Sequence, residues 1–302
     1  MAEPLGELRL KGAGGEPVGL RRTLASHGVA TLPPQRLDEE TWTLETTLAL
    51  PGGGARTVSV RAGSRGRAAV TLVSGRAGAR RREALLATVA HMLRLDENLS
   101  PFYALAAADP DLAWVTTGAG RMLRSPTVFE DVVKTVCTTN CSWALTTTMT
   151  TALVEHLGEP APGGRRAFPT PAAMAAADES FYREIARSGY RAPYLRALSA
   201  SVASGEVDLE ALADPELPDD EAAARLLALP GIGPYGAAHV MLTSLGRYSR
   251  LVLDSWTRPT YARLVDRATK DATIERRFRP YREWAGLAFW LTLTRSWVAE
   301  EA

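Results

Sequence analysis

Residues 226–258 read LLALPGIGPYGAAHVMLTSLGRYSRLVLDSWTR, and their pattern decides what the rest of the chain has to be. Leu226, Leu227 and Leu229 follow a helical apolar pattern that breaks at Pro230-Gly231-Ile232-Gly233 and resumes from Pro234 to Leu245. Gly236, Ala237 and Ala238 are small enough for the second segment to lie close against the first. The stretch predicts a helix, a tight glycine hairpin and a second helix, over about 222–246. Pro234 suits a first helical turn, where its missing N–H costs little, and Gly231 and Gly233 supply the backbone freedom of a hairpin. Amides around Gly231, Gly233 and Gly236 are then left at a helix N-terminus, ready for a phosphate oxygen. After a spacer, the apolar Leu251-Val252-Leu253 delivers one carboxylate, Asp254. Each part alone has an ordinary reading: a bare GxG is a common αα-corner, and an Asp before Ser255 is a common helix N-cap.

The chain has 302 residues, enough for two modest domains, and its 46% apolar and 23% charged content is that of a soluble globular protein. Its apolar runs fall short of a membrane span and its first residues lack a secretion signal, so the expected location is the cytoplasm. Two cysteines, Cys137 and Cys141, are too few for a disulfide framework or for an iron–sulfur cluster held by four thiolates. They lie one helical turn apart, and core packing is the favoured reading over a redox or metal site. The net charge of +1 says nothing for nucleic acid, but its distribution does. Residues 206–221 carry eight carboxylates and no base, whereas 247–282 carry ten basic residues against four acids. An acidic face and a basic face would orient the molecule on a polyanion, although a charge run is more often only a solvated surface.

Residues 1–94 read as a β-rich N-terminal domain. Glu7–Leu10 reads as a short strand, Val18–Ser26 as a helix, and Thr41–Leu50 as a strand with period-two alternation. A turn at Pro51-Gly52-Gly53-Gly54 leads to strands at Thr57–Val60 and Ala68–Val73 and a helix over Arg80–Leu93. That order predicts a small antiparallel sheet with helices on one face, in an α+β chain. His27 and His91 have no second ligand at metal spacing and read as structural. From residue 95 to 302 the texture is helical. A helix capped near Ser125 or Thr127 runs through Val128–Val133 and into Cys137-Thr138-Thr139-Asn140-Cys141-Ser142, where polar residues interrupt an apolar segment. Such an interruption is expected where a helix breaks at a working surface. The segment Tyr281–Val298, with Trp284, Trp290 and Trp297, reads as a final helix, mostly core, with one aromatic free to reach a pocket.

LPGIGPYGAAHVML followed by LVLDSWTR resembles the helix-hairpin-helix (HhH-GPD) DNA glycosylase superfamily, whose hairpin is followed about twenty residues later by an essential Asp. Twenty-three positions separate Gly231 from Asp254. TVCTTNCSWALTTTMTTALVEHLG and Gly189-Tyr190-Arg191-Ala192 are similar to segments of the 8-oxoguanine and alkyladenine (3-methyladenine) types, so the resemblance covers roughly 95–300. It implies a two-lobed helical body behind the N-terminal sheet, acting as a monomer on double-stranded DNA with a damaged base, in the cytoplasm and on the nucleoid. Asn140 would fill the gap left by an extruded base. Arg247, Arg250 and Arg258 are candidate backbone contacts. Carbonyls of Leu227, Leu229 and Ile232 would hold a monovalent cation, Na+ or K+, and no cofactor is otherwise required.

The resemblance also implies chemistry. Breaking a C1′–N bond through an oxocarbenium-like transition state needs a negative charge near the sugar and a pocket outside the base stack. Asp254 supplies the charge and can orient or deprotonate the attacking water. Bifunctional relatives carry a nucleophilic Lys four residues past the first hairpin Gly; here that position is Tyr235, and only Lys11, Lys134 and Lys270 exist in the chain. The implied activity is monofunctional base release. Tyr235, His239 and Trp256 would line the pocket, and aromatic walls suit an electron-poor or cationic base such as an alkylated purine by about 0.5–2 kcal/mol per contact. Core packing remains the ordinary reading of His239 and Trp256. An oxidised or deaminated purine, an inactive DNA-binding protein, and a helical protein unrelated to DNA remain open beside this reading.

Overall fold

The structure is a computed structural model that describes residues 2–50 and 52–298. Five strands form one antiparallel sheet in the order β1-β5-β4-β3-β2: β1 Glu3–Arg9, β2 Arg36–Asp38, β3 Thr43–Leu48, β4 Arg56–Ala62 and β5 Arg67–Leu72. Alternate side chains of the inner strands, Leu44 and Leu48, Val58 and Val60, Val70 and Leu72, are buried together, as the period of a pleated strand requires. Helices α1 (Leu20–Leu24) and α2 (Ala79–Met92) close this core with Leu20, Leu24, Leu85 and Val89. The α+β architecture expected from the sequence is therefore present. Two details differ. β1 begins four residues earlier than expected, because Pro4 and Gly6, which obscure the alternation, sit at a register shift on an edge strand, where a missing N–H is tolerated. β2, only three residues long, carries too little periodicity to be read. Pro51 of the expected turn lies outside the described residues.

The helical body comprises α3 (Ser100–Ala106), α4 (Val128–Thr138), α5 (Trp143–Leu157), α6 (Pro171–Ala176), α7 (Ala192–Ala203), α8 (Asp219–Leu227), α9 (Pro234–Val240), α10 (Thr257–Leu264), α11 (Asp271–Phe278) and α12 (Ala285–Thr294). Two cores result. One gathers α4 to α8, and the other gathers α3 with α10 to α12. Helix α9 belongs to both, giving Ala237 and Val240 to the first and Ala238 to the second. It continues as a wider π-type turn, Met241–Leu245, and ends at Gly246 in the left-handed region. No described helix is long and apolar enough to cross a membrane.

The final segment is not the continuous helix expected over Tyr281–Val298. Arg282 has φ 54, which breaks the chain direction before α12, and a short 3-10 turn, Arg295–Trp297, follows it. The packing reason lies at Gly286, whose N–H donates to the Tyr248 carbonyl at 2.7 Å and whose missing Cβ would stand 2.1 Å from the Arg250 carbonyl. Backbone-to-backbone contact, rather than helical periodicity, positions α12.

Buried charges tie the sheet domain to the body. Arg94 donates to the Met122 carbonyl at 2.8 Å and to the Thr243 carbonyl in the π-type turn at 2.7 Å. Arg121 and Glu16 pair at 2.6 Å, and Lys134 pairs with Glu130 at 2.7 Å while donating to Gln35 at 2.6 Å. Losing one partner of a buried pair strands the other charge and costs about 3–5 kcal/mol. Glu130→Ala is expected to lower the urea-unfolding free energy by about that amount, and Glu130→Leu combined with Lys134→Met to recover most of it. An unchanged midpoint in the single variant would show that this pair is not the stabilising contact.

Candidate active site

The hairpin between α8 and α9 takes the form its sequence implies, with one difference. Gly231 has φ 81, and an added Cβ would also come within 3.0 Å of the Tyr194 ring, so glycine is required there twice over. Gly233 has an ordinary φ of −105, and a Cβ there would meet nothing within 4 Å. Its contribution is open space in front of the helix start, not conformational freedom. Among the described residues the N–H groups of Gly231 and Gly233 reach no acceptor, and Gly236 is buried in the first turn of α9. The carbonyls of Leu227 and Ile232 receive no hydrogen bond recorded outside the helices, while that of Leu229 accepts only the Ile232 N–H at 3.2 Å.

Asp254 is at once a cap and a candidate catalytic group. Its Oδ1 accepts the N–H of Trp256 at 2.8 Å and of Thr257 at 2.7 Å, and the Thr257 hydroxyl accepts the Asp254 N–H at 2.8 Å. This reciprocal pair caps the turn that leads into α10, where the Asp254 carbonyl accepts the Arg258 N–H at 3.3 Å. Oδ2 has no hydrogen bond among the described residues, and the side chain is half-buried. Capping therefore fixes one oxygen and aims the other.

Tyr235 and His239 lie within the electrostatic reach of that carboxylate. Burial raises the Tyr235 phenol above its ordinary pKa, a hydrogen-bond contact with Thr138 at 3.3 Å opposes this, and the Asp254 charge adds to the rise. His239 lies 5.7 Å from the Tyr235 ring, tilted by 45°, and is pushed down to about 3, chiefly by burial and further by His27, with Asp131 and Asp254 opposing. Its Nδ1 stands 3.5 Å from the hydroxyls of both Thr135 and Thr243. His27, from the sheet domain, meets the His239 ring edge-on at 5.9 Å and donates Nε2–H to the Leu123 carbonyl at 2.7 Å, which fixes its tautomer. Both rings are neutral at pH 7.

Trp256 is 38% exposed and packs 5.6 Å from Trp290 and 5.5 Å from Trp297, itself 40% exposed. Three indoles thus gather around Trp256, two residues beyond Asp254, two of them from the last segment of the chain. Trp290 is anchored by its Nε1–H donating to the Ser26 carbonyl at 2.8 Å. The sequence names Trp256 for the pocket and leaves one aromatic of the last segment free to reach it without saying which, since nothing local to Trp290 or Trp297 says where a kinked terminal helix will bring them. His27 reads as structural in the sequence, and only the fold places it against His239.

Asn140 stands exposed at φ 45 in the break between α4 and α5, 3.5 Å from the Tyr190 hydroxyl. Arg191 lies 4.4 Å over the Tyr190 ring and donates to the hydroxyl and carbonyl oxygens of Thr139. Tyr190 meets Tyr194 edge-on at 6.3 Å, and Tyr194 packs against Gly231. This chain of contacts puts the α4–α5 break and the hairpin on one exposed surface. The three expected backbone-contact arginines are engaged within the chain: Arg247 with Asp219 at 2.7 Å, Arg250 with Asp220 at 2.8 Å, and Arg258 with Asp271 through two bonds of 2.8 and 2.9 Å. The acidic and basic runs are therefore not separate faces; they interleave, because folding sets α8 against the 247–250 loop.

Cys137 is buried, and burial pushes its thiol up to about 12; Cys141 Sγ contacts the Cys137 carbonyl. Among the described residues no group of three or more His, Cys, Asp or Glu could hold a metal ion. Lys134 is fully enclosed by its pair with Glu130.

The family described as "HhH-GPD superfamily base excision DNA repair protein" matches residues 133–282, from α4 through the hairpin and Asp254 to the kink before α12. Among curated proteins the chain is 26% identical over 172 residues to the putative DNA-3-methyladenine glycosylase YfjP of Bacillus subtilis, covering 55% of this chain and 59% of that protein. The chain thus spans under two thirds of that relative's length. Among solved structures it is similar to a 3-methyladenine DNA-glycosylase from Archaeoglobus fulgidus, with a TM-score of 0.75 at 22% identity over 97% of this chain and 100% of the other. It is also similar to MBOgg1 in complex with a low-affinity DNA ligand, at TM-score 0.72, 20% identity and 96% and 95% coverage. The apo 8-oxoguanine glycosylase/lyase of Clostridium acetobutylicum matches at TM-score 0.64 and 21% identity over 82% and 87%. At these identities the likeness is one of fold.

The two neutral imidazoles carry a pH signature. Unfolded histidines take up a proton near pH 6.5, whereas His27 does so only at about 4 and His239 at about 3. The unfolded state therefore binds more protons as pH falls below 6.5, and stability present above that value is lost progressively toward pH 4. At about 1.4 kcal/mol per pKa unit, His27 accounts for roughly 3 kcal/mol over this window. Urea midpoints are expected to fall between pH 6.5 and 4, less steeply in His27→Gln; equal slopes would remove His27 from the account.

Proposed function

Because the chain belongs to the HhH-GPD superfamily of base excision DNA repair proteins, we propose that it is a monofunctional DNA glycosylase that releases a damaged purine, alkylated purines foremost, from double-stranded DNA. The observation that carries the reading is Asp254, capped through Oδ1 and open at Oδ2, beside Tyr235 and a cluster of three indoles.

In the proposed reaction the extruded nucleotide places its sugar near Asp254 and its base against the aromatic residues. The C1′–N bond breaks, and its electron pair leaves with the base. The carboxylate stabilises the positive charge that develops on the sugar, and a water adds to C1′ as its proton passes to the Asp254 carboxylate, leaving an abasic site. Tyr235 stands where a lyase would need an amine, and Lys134 is enclosed by its ion pair, which supports hydrolysis over strand cleavage. Indole faces attract a cationic base by about 0.5–2 kcal/mol per contact, and such bases are already poor partners of their sugars, which favours alkylated over oxidised or deaminated purines. Hairpin amides at Gly231 and Gly233 would take a phosphate, a cation on the Leu227, Leu229 and Ile232 carbonyls would add positive charge to the same turn, and Asn140 would enter the space left by the extruded base. The internal pairs of Arg250 and Arg258 are exposed enough for a phosphate to compete for them.

A second reading, DNA binding without turnover, is favoured by one fact: N-capping alone accounts for an Asp at 254. Asp254→Asn separates the two. Asn caps a helix as well as Asp, so thermal stability is expected to change by less than about 0.5 kcal/mol, while base release falls by at least about a hundredfold. The assay uses duplexes carrying 7-methylguanine, 3-methyladenine, hypoxanthine or 8-oxoguanine, with borohydride trapping in parallel. Loss of alkylpurine release in the variant, with no trapped adduct, supports the glycosylase. A trapped adduct would overturn the monofunctional assignment, and salt-sensitive binding without any release would favour the binding protein.

A further inference from the structure

The Tyr235 phenol and the His239 imidazole, whose rings lie 5.7 Å apart, share the candidate site with the Asp254 carboxylate. Which of these groups can give a hydrogen bond to a base depends on where the neighbouring hydrogens are already committed. A hydroxyl has a single hydrogen to donate. That of Thr138 goes to the Thr135 carbonyl at 2.7 Å, so towards Tyr235, 3.3 Å away, Thr138 offers only lone pairs and the phenol is the donor. That of Thr243 goes to the His239 carbonyl at 2.8 Å, so towards His239 Nδ1, 3.5 Å away, Thr243 likewise only accepts.

The tautomer of His239 follows. A neutral imidazole carries one N–H, and on Nδ1 that hydrogen faces the oxygens of Thr243 and Thr135, both at 3.5 Å. The other tautomer would set the Nδ1 lone pair against those of Thr243. Nε2 is then the bare nitrogen. It has no protein partner among the described residues, and unlike the His27 Nδ1, which is buried without one, it is not sealed from solvent, although His239 as a whole is only 4% exposed. Burial keeps the ring neutral at pH 7, so this lone pair persists. The Tyr235 oxygen has given its hydrogen to Thr138, and Asp254 Oδ2 is an acceptor by its charge. Tyr235, His239 and Asp254 therefore all present lone pairs, and none of the three offers a hydrogen.

We propose that His239 Nε2 selects the base: it accepts an N–H from the extruded purine, so purines that bear a ring or exocyclic N–H are held in preference to purines that bear none. This selectivity rests on the glycosylase reading and narrows its substrate class. A base that turns only acceptors towards His239 leaves Nε2 facing another lone pair, and an acceptor left unpaired out of water is how a site rejects an analogue. The same neutral lone pair suits a cationic alkylated purine, whose remaining N–H groups are stronger donors, whereas a protonated imidazole would repel it.

The test uses two neutral lesions, so that base charge plays no part: hypoxanthine, which has a ring N–H, and ethenoadenine, which has no N–H. Affinities of the full chain for short fluorescent duplexes carrying either lesion are measured in Asp254→Asn, which leaves the base attached, and in the same chain with His239→Leu or His239→Gln added. With His239 intact, hypoxanthine is expected to bind more tightly by roughly tenfold, the effect of one hydrogen bond against an unpaired acceptor. Leu removes the acceptor and should bring the ratio to about one, whereas Gln, whose amide oxygen reaches the Nε2 position, should keep most of it. Equal affinities with His239 intact overturn the proposal whatever the variants do, so the outcome does not depend on Leu folding. A preference that survives Leu, or one that Gln loses as fully as Leu, overturns it as well. Base release by wild type tells the two failures apart: release of any lesion with equal affinities sinks the selection by His239 alone. No release, with lesion and undamaged duplexes bound equally, sinks the glycosylase reading too.

Discussion

Helix α9 has no free face. Ala237, Val240 and Met241 point into one helical core and Ala238 and Leu242 into the other, so the element that follows the hairpin is also the wall between the two lobes. Small residues are required at its start because two layers of side chains approach it at once. Its far end must also be accounted for, since a π-type turn leaves carbonyls without regular helical partners. Arg94 reaches from the end of the sheet domain to the Thr243 carbonyl and meets that need. The hairpin's geometry therefore depends on a cation more than a hundred residues away in sequence, and the sheet domain is part of the structural support of the site.

On the proposed reaction, Asp254 joins structure and chemistry in one local motif. The carboxylate must be immobile to stabilise a charge that develops at one place, and an N-cap immobilises it with two backbone N–H groups while leaving the second oxygen available. The cap also starts α10, whose Thr257 and Tyr261 enter the core shared with α12. Packing of α10 and α12 is in turn what brings Trp256 to Trp290 and Trp297. Position of the charge and shape of the aromatic surface are thus coupled through one short turn.

Electrostatics on the surface follow a different logic from the net charge. On the hairpin side the carboxylates of α8 pair with Arg247 and Arg250, so a sequence with ten bases in one stretch presents far less free positive charge than it counts. The exposed Arg250–Asp220 pair holds little energy and exchanges partners readily, whereas Arg247 is held further by the Leu212 and Asp214 carbonyls.

What the sequence by itself determined was whatever local rules govern. Alternation in β3 to β5, the proline and glycines of the hairpin, the helix broken at Asn140 and the lone Asp at 254 are all legible from residue type and spacing, because backbone preference and side-chain chemistry act over a few residues. Tertiary structure alone decided which distant groups meet. His27 against His239, the indoles of Trp290 and Trp297 against Trp256, the braces of Tyr190 and Arg191 on the Asn140 loop, and the neutralisation of Arg247 by Asp219 join residues whose sequence neighbours give no sign of it. The kink at Arg282 and the close approach at Gly286 set the position of α12, and with it the aromatic cluster. These are set by volume and by buried polar groups finding partners, quantities that exist only once both cores have formed.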